Sequence, residues 1–78
     1  MKFSNTIPMN KIELGNIIQK RRKALDLKQE DLAEMASITS KTIYLVESGK
    51  GNPAIDSLQK LLEVLGLEIS VQIRKVPE

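Results

Sequence analysis

The sequence predicts a small, mainly helical domain of four to five short helices with one β-strand at its C-terminal end. From Lys11 to Leu65, apolar residues recur three and four residues apart, and turn residues divide the pattern into short segments. From Leu67 to Ile73 the spacing changes to strict alternation of apolar and polar residues, which is typical of a half-buried strand. A chain of 78 residues makes one domain with a modest core.

The first predicted helix runs from Lys11 to Leu25. Leu14, Ile18 and Leu25 form its apolar stripe at spacings of four and seven. Asp26 follows, and aspartate tolerates the left-handed backbone that ends many helices. Residues 1–10 lack a clear period and contain Pro8, so we expect an N-terminal arm there.

The second and third helices are predicted at Lys28 to Ala36 and from about Ser40 to Ser48, with the turn at Ser37 to Thr39. Thr39 or Ser40 can cap the third helix, because a hydroxyl accepts free amide hydrogens of the first turn. A small residue, Ala33, lies where the two helices must touch. The residues expected to face the core are Leu32, Ala33, Met35 or Ala36, Ile43 and Val46. This is the pattern of a helix-turn-helix, which places its second helix in the DNA major groove.

The fourth helix is predicted from about Ile55 to Leu65, with Asp56 suited to the dipole of its first turn and Gly66 ending it. The strand after it needs a partner, because an unpaired edge favours aggregation. Its partner is either the N-terminal arm or, as we favour, the same strand of a second copy about a two-fold axis. The expected dimerisation residues are Leu67, Ile69, Val71 and Ile73. The predicted organisation is thus an arm at 1–10, a DNA-binding domain at 11–66 and a dimerisation strand at 67–76.

Composition argues against catalysis. The chain has no cysteine and no histidine, which removes thiolate zinc sites and the commonest general base. It has no glycine-rich phosphate loop, since Gly49 to Gly51 is too short and follows a helix. We therefore expect no enzyme activity, no metal or cofactor and no small-molecule substrate. The N-terminal residues have no apolar stretch for a signal peptide or membrane span, so a cytoplasmic location without membrane association is expected.

The net charge of +2 is only weak evidence for nucleic-acid binding, but the distribution of the charged residues is more informative. Basic residues cluster at Lys20 to Lys23 and at Lys28, and acidic residues follow at once. Such a local stripe suits a phosphate backbone. The alternative interpretation is a solvated helix face.

Together these residues resemble the lambda-repressor/Cro-like helix-turn-helix family, also called the XRE family. The resemblance covers about Leu14 to Leu67. The matching positions are Leu14, Gly15, Ile18, Arg22, Leu27, Gln29, Leu32, Ala33, Ile38, Ile43, Glu47, Gly49, Asn52, Pro53, Leu58, Leu65 and Gly66. The chain departs from the family pattern at Ser37 and Asp26, where glycine is usual, and at Lys28, where serine or threonine caps the second helix.

The added C-terminal strand makes the chain similar to HipB-type antitoxins, in which such a strand completes a two-stranded sheet across the dimer. That resemblance implies a protein that represses its own operon and binds a kinase-type toxin. The two expectations, repressor and antitoxin, can hold for one molecule. A third interpretation is a helix-turn-helix that serves only to dimerise.

The third helix should present to DNA the residues that its core face does not use. These expected base-reading residues are Ser40, Lys41, Tyr44 and Leu45. Lys41 can reach guanine acceptors, and Tyr44 can contact a thymine methyl group or a phosphate. The alternatives are a solvated Lys41, a Tyr44 that closes the domain and a Leu45 that belongs to the core.

Contacts to the DNA backbone are expected from a second set of residues, namely Gln29, Thr39, Lys50 and Asn52. The family resemblance assigns Gln29 a bridging role between phosphate and the recognition helix, for which an amide has both donors and acceptor. It also implies an ion pair between Arg22 and Glu47. One domain reads only a few base pairs, so a homodimer is expected to bind double-stranded DNA at a palindromic operator.

Overall fold

Four helices make up the described part of the fold. The computed structural model describes residues 10–70, in which α1 is Lys11–Ala24, α2 is Gln29–Ala36, α3 is Ser40–Glu47 and α4 is Ile55–Leu65. The mainly helical class is confirmed. Each predicted helix is present, with ends that differ by no more than one residue.

Local capping explains where the helices begin. The side chain of Asn10 accepts the backbone N–H of Glu13 at 2.9 Å, and Thr39 Oγ1 accepts that of Thr42 at 3.2 Å. At α2, where Lys28 replaces the usual hydroxyl, the Asp31 carboxylate accepts the backbone N–H of Lys28 at 2.9 Å. This is the carboxylate half of a capping box, and it compensates in part for the missing hydroxyl.

Two residues other than glycine have left-handed backbone. Asp26 has φ 58° after α1 and Ser37 has φ 56° at the end of α2. The prediction of a left-handed Asp26 is confirmed. Ser37 takes the conformation that glycine would adopt without steric cost, so the turn between α2 and α3 is mildly strained.

The core lies between all four helices and is closed by the first apolar residue after α4. Its buried apolar residues are Ile18, Leu32, Ala33, Ala36, Ile43, Val46, Leu61, Leu62, Leu65 and Leu67. One prediction is corrected here, because Leu25 lies beyond the last turn of α1 and is 40% exposed. Of the two alternatives on α2, Ala36 is buried and Met35 is 58% exposed.

Gly15 allows α1 and α3 to pack with their backbones close together. A Cβ atom at Gly15 would lie 2.4 Å from the carbonyl oxygen of Val46 and 2.7 Å from that of Glu47. No side chain fits at that distance, so glycine fixes the approach of the C-terminal end of α3 to α1.

Only the first four residues of the predicted strand, 67–70, lie within the described part of the chain. Gly66 ends α4 with φ 69°, Leu67 is buried and Ile69 is 47% exposed. Residues 67–70 do not form a strand. Val71 and Ile73, and the N-terminal arm as far as residue 9, lie outside the described residues. The dimerisation strand therefore stays a prediction.

Candidate nucleic-acid interface

The outer face of α3 is open to solvent. Ser40 and Lys41 are exposed, Tyr44 is 54% exposed and Leu45 is half-buried. The first turn of α3 contains no acidic residue. Because a helix N-terminus carries partial positive charge, this end of α3 with its exposed Lys41 is electrostatically suited to a phosphate or a base acceptor.

The inner face of α3 is anchored by an ion pair with α1. Arg22 Nε donates to Glu47 Oε2 at 2.6 Å and Arg22 Nη2 donates to Glu47 Oε1 at 2.9 Å. The two residues are 7% and 6% exposed, respectively. The third guanidinium nitrogen, Nη1, donates to the carbonyl of Leu27 at 2.7 Å, so each of the three nitrogens makes a hydrogen bond within the domain.

The same pair further favours the charged form of Arg22, a side chain that is already charged at neutral pH. Its hydrogen bonds with Glu47 raise the pKa of the guanidinium above its ordinary value, and burial acts in the opposite direction. A group whose folded pKa is raised contributes its stabilisation at every pH below its unfolded pKa. Arg22 therefore stays charged, and its own titration adds no pH dependence to stability near neutrality.

Gln29 joins the start of α2 to this pair. Its Nε2 donates to Glu47 Oε1 at 3.1 Å, and the side chain is half-buried. Glu47 is the last residue of α3. The glutamine thus contacts the C-terminal end of α3, and the side-chain oxygen and second amide hydrogen of Gln29 have no partner among residues 10–70.

The remaining expected backbone contacts are exposed but differ in their surroundings. Thr39 caps α3 and shares a hydrogen bond of 2.9 Å with Thr42 Oγ1. Lys50 and Asn52 are exposed in the loop that joins α3 to α4. Asn52 Oδ1 accepts a hydrogen bond from the ammonium group of Lys11, a residue to which the sequence analysis gave no role.

The predicted basic stripe is smaller than expected. Arg21 Nε donates to the carbonyl oxygen of Leu65 at 2.8 Å and so caps the end of α4, while Arg22 is held by Glu47. Both arginines therefore make structural contacts, but only Arg22 is buried. The exposed cations of this region are Lys20, Arg21, Lys23 and Lys28.

Other site types find no support in the described part of the chain. Residues 10–70 contain no group of acidic side chains arranged to hold a metal ion. No helix in that range is long and apolar enough to cross a bilayer.

Comparison with known proteins identifies the class of protein that this fold defines. The family model described as helix-turn-helix matches residues 18–72. The chain belongs to this family, in its XRE-type form, as the sequence motifs predicted.

Curated relatives are regulators of transcription. The chain is 39% identical over 56 residues to the HTH-type transcriptional regulator PuuR of Escherichia coli K12. This match covers 72% of the chain but only 30% of PuuR. It is also 36% identical over 55 residues to an uncharacterised HTH-type transcriptional regulator of Methanothermobacter thermautotrophicus, covering 70% of this chain and 80% of that protein.

Solved structures give the same fold. The controller protein C.AhdI of Aeromonas hydrophila matches with a TM-score of 0.70 and 28% identity, covering 74% of this chain and 88% of that one. SinR, solved in complex with DNA, matches with a TM-score of 0.64 and 28% identity over 70% and 89% of the two chains. A chain of the HipA–HipB–O2–O3 complex matches with a TM-score of 0.76 over 91% and 100%, and at 22% identity this likeness shows the fold alone.

Proposed function

We propose that this protein is a sequence-specific DNA-binding transcriptional regulator, a homodimer that represses its own promoter from a palindromic operator. The observation that carries the proposal is that α3 has one face anchored in the domain and one face exposed to solvent. The inner face is fixed by the Arg22–Glu47 pair, and the outer face presents Lys41 and Tyr44 to solvent. A helix held rigidly with polar side chains outward is what reading base edges in the major groove requires.

Two sets of residues make different kinds of contact with DNA in this proposal. Ser40, Lys41, Tyr44 and Leu45 read bases, with Leu45 contributing apolar contact from its half-buried position. Gln29, Thr39, Lys50 and Asn52 contact phosphates and set the register of α3 in the groove. Phosphate contacts position a protein on DNA but carry no sequence information themselves.

In this proposal a homodimer is the form that binds the operator. The strand at residues 67–76 pairs with its copy, and the arm at 1–10 precedes the DNA-binding domain at 11–66. A two-fold dimer reads half-sites about one helical turn of DNA apart, or a multiple of it. As a regulator of transcription, the protein acts in the cytoplasm.

The first experiment is a fluorescence anisotropy titration of a duplex taken from upstream of the protein's own coding sequence, with a scrambled duplex as competitor. The wild type is compared with the Lys41→Ala, Tyr44→Ala double variant and with Lys60→Ala, which removes an exposed lysine from α4. We expect specific binding that the double variant loses and Lys60→Ala keeps. Equal, weak and salt-sensitive binding of both duplexes by the wild type would contradict autorepression.

An apolar groove beside α4 supports a second function, that of an antitoxin for a HipA-like kinase-type toxin. The groove, about 510 Å³ in volume, is lined mainly by apolar side chains, among them the 73%-exposed Ile55 and the 47%-exposed Ile69. Exposed apolar surface of this kind is typical of protein contacts. Co-purification of the tagged chain with the product of the adjacent gene tests this function, and recovery of the homodimer alone would contradict it.

A further inference from the structure

The first turn of α1 is attached to the loop that follows the recognition helix. Lys11 Nζ donates to the carbonyl oxygen of Gly51 at 2.8 Å and to the side-chain oxygen of Asn52. These residues are 40 and 41 positions apart in the sequence, so the contact is a property of the fold.

The lysine determines which way the Asn52 amide faces. An ammonium group can only donate hydrogen bonds, so the oxygen of the amide must turn toward it. The NH₂ group of Asn52 then points away from Lys11 and has no acceptor among residues 10–70. Two hydrogen-bond donors are thereby held at the loop surface, next to the exposed Lys50.

Backbone packing holds the two segments together independently of Lys11. Gly49 has φ 72°, and a Cβ atom there would lie 2.9 Å from Ile12 Cγ1 and 3.0 Å from Ile12 Cα. The first turn of α1 therefore packs directly against the start of the loop. From this turn the side chain of Lys11 reaches the two loop oxygens.

The position of Lys11 is electrostatically unfavourable for α1 itself. It is the first residue of the helix, where the helix dipole disfavours a cation, and no carboxylate pairs with it in the described part of the chain. The two loop oxygens stabilise the ammonium group without cancelling its charge. Lys11 and the exposed Lys50 thus place two positive charges near the amide donors of Asn52, with Glu13 of the same turn of α1 as the one acidic residue there.

We propose that Lys11 is a positioning residue for DNA binding, which orients the amide of Asn52 so that its NH₂ group donates to a backbone phosphate. The inference rests on the proposed function, because it assigns a further residue to the same DNA-contacting surface. The positive charge of Lys11 also attracts the phosphates in general, but the specific role of Lys11 is to orient Asn52.

The first test needs no DNA and uses the side-chain amide signals of Asn52 in ¹⁵N-correlated NMR spectra of the intact protein. Lys11→Met should shift these signals, Lys11→Arg should preserve them because a guanidinium can donate to both oxygens, and Lys60→Met should leave them unchanged. Unchanged Asn52 signals in Lys11→Met would overturn the proposed orientation, whatever the protein binds.

The second test is a double-mutant cycle on affinity for the upstream duplex, with thermal melting to verify that every variant is folded. Lys11→Met and Asn52→Ala should each weaken binding about threefold to tenfold, the equivalent of one hydrogen bond. Adding Lys11→Met to Asn52→Ala should cost less than about twofold more, since the oriented donor is already absent.

Equal losses from Lys11→Met in both backgrounds would show a charge effect alone and would overturn the positioning role. A wild type that binds neither duplex would instead refute the proposed function. In that outcome the NMR test still decides whether Lys11 orients Asn52.

Discussion

The two faces of α3 differ in almost every physical respect although they share eight residues. On the inner face, Ile43 is fully buried and Glu47 is 6% exposed with both carboxylate oxygens hydrogen-bonded. On the outer face, Lys41 and Tyr44 make no side-chain hydrogen bond within residues 10–70. The inner face determines where the helix lies, and the outer face is left free for a ligand.

From this difference we expect substitutions in α3 to affect either stability or the proposed DNA recognition, but not both. A substitution on the inner face changes the free energy of unfolding, because it removes buried contacts or leaves a buried charge without a partner. A substitution on the outer face is expected to change only contacts of the proposed complex with DNA. The variants below test whether this separation holds.

The largest effect is expected from Glu47→Ala, which leaves the buried guanidinium of Arg22 without its carboxylate. We expect a loss of about 3–5 kcal/mol in the free energy of unfolding, measured by urea denaturation. Glu34→Ala, which removes an exposed carboxylate from α2, is the control and should change stability by less than about 0.5 kcal/mol.

Because so large a loss can unfold a small domain, Glu47→Gln is a useful companion variant. It keeps an acceptor for Arg22 and should lose less than Glu47→Ala. Equal stability of Glu47→Ala and Glu34→Ala would contradict the assignment of the ion pair as the anchor of α3.

Gly15→Ala tests the same junction through the backbone. The added methyl group meets the carbonyl oxygens of Val46 and Glu47, so α1 and α3 must separate. We expect a loss of about 1–3 kcal/mol in urea denaturation, the usual cost of overpacking, despite the higher helix propensity of alanine. Asn16→Ala, at the exposed neighbouring position, should cause no comparable loss.

Lys41→Ala should leave the urea midpoint unchanged and weaken specific DNA binding by about 1–3 kcal/mol, with relaxed preference at the base pair that it reads. Lys50→Ala should weaken binding to all duplexes alike and reduce the slope of log affinity against log salt by about 1. Anisotropy titrations over a salt series distinguish the two. The same response from both variants would show that the outer face does not read bases.

The smallest effect is expected from the turn before α3. Ser37→Gly relieves a left-handed serine and should stabilise the domain by about 0.5–1 kcal/mol in thermal or urea unfolding. Asp26→Gly should gain less, because aspartate tolerates that conformation better than serine. A larger gain at position 26 would contradict this account of turn strain.

Local chemistry explains which features the sequence could predict. The helix ends follow from turn and capping residues near them in the chain, such as Thr39, Asp26 and Gly66. Leu25 was expected in the core and is exposed, because periodicity extends a stripe past the point where the helix ends. The roles of Arg21 and Lys11 depend on carbonyl and amide oxygens some 40 residues away, which no local pattern contains.

In the candidate site, too, the sequence predicted local features but not the contacts between residues distant in the chain. The resemblance to a known family implied a partner for Arg22, and the exposure of Ser40, Lys41 and Tyr44 agrees with the predicted outer face of α3. That Gln29 donates to Glu47 follows from the spatial arrangement of α2 and α3. The sequence contained one signal for Lys11, which is a cation at the first position of a helix. The loop oxygens that accept its hydrogen bonds explain why a cation is tolerated there, and these are known only from the structure.

The burial of Leu67 restricts how far anything attached to the C-terminal end can move. Leu67 is 6% exposed and is hydrogen-bonded through its backbone N–H to Leu62, so the chain leaves the core at a fixed point. Residue 71 is four residue steps from Leu67, a distance of at most about 14 Å even when fully extended. Any segment that follows is therefore attached to the domain at a buried core residue, Leu67, and not at the solvent-exposed end of α4.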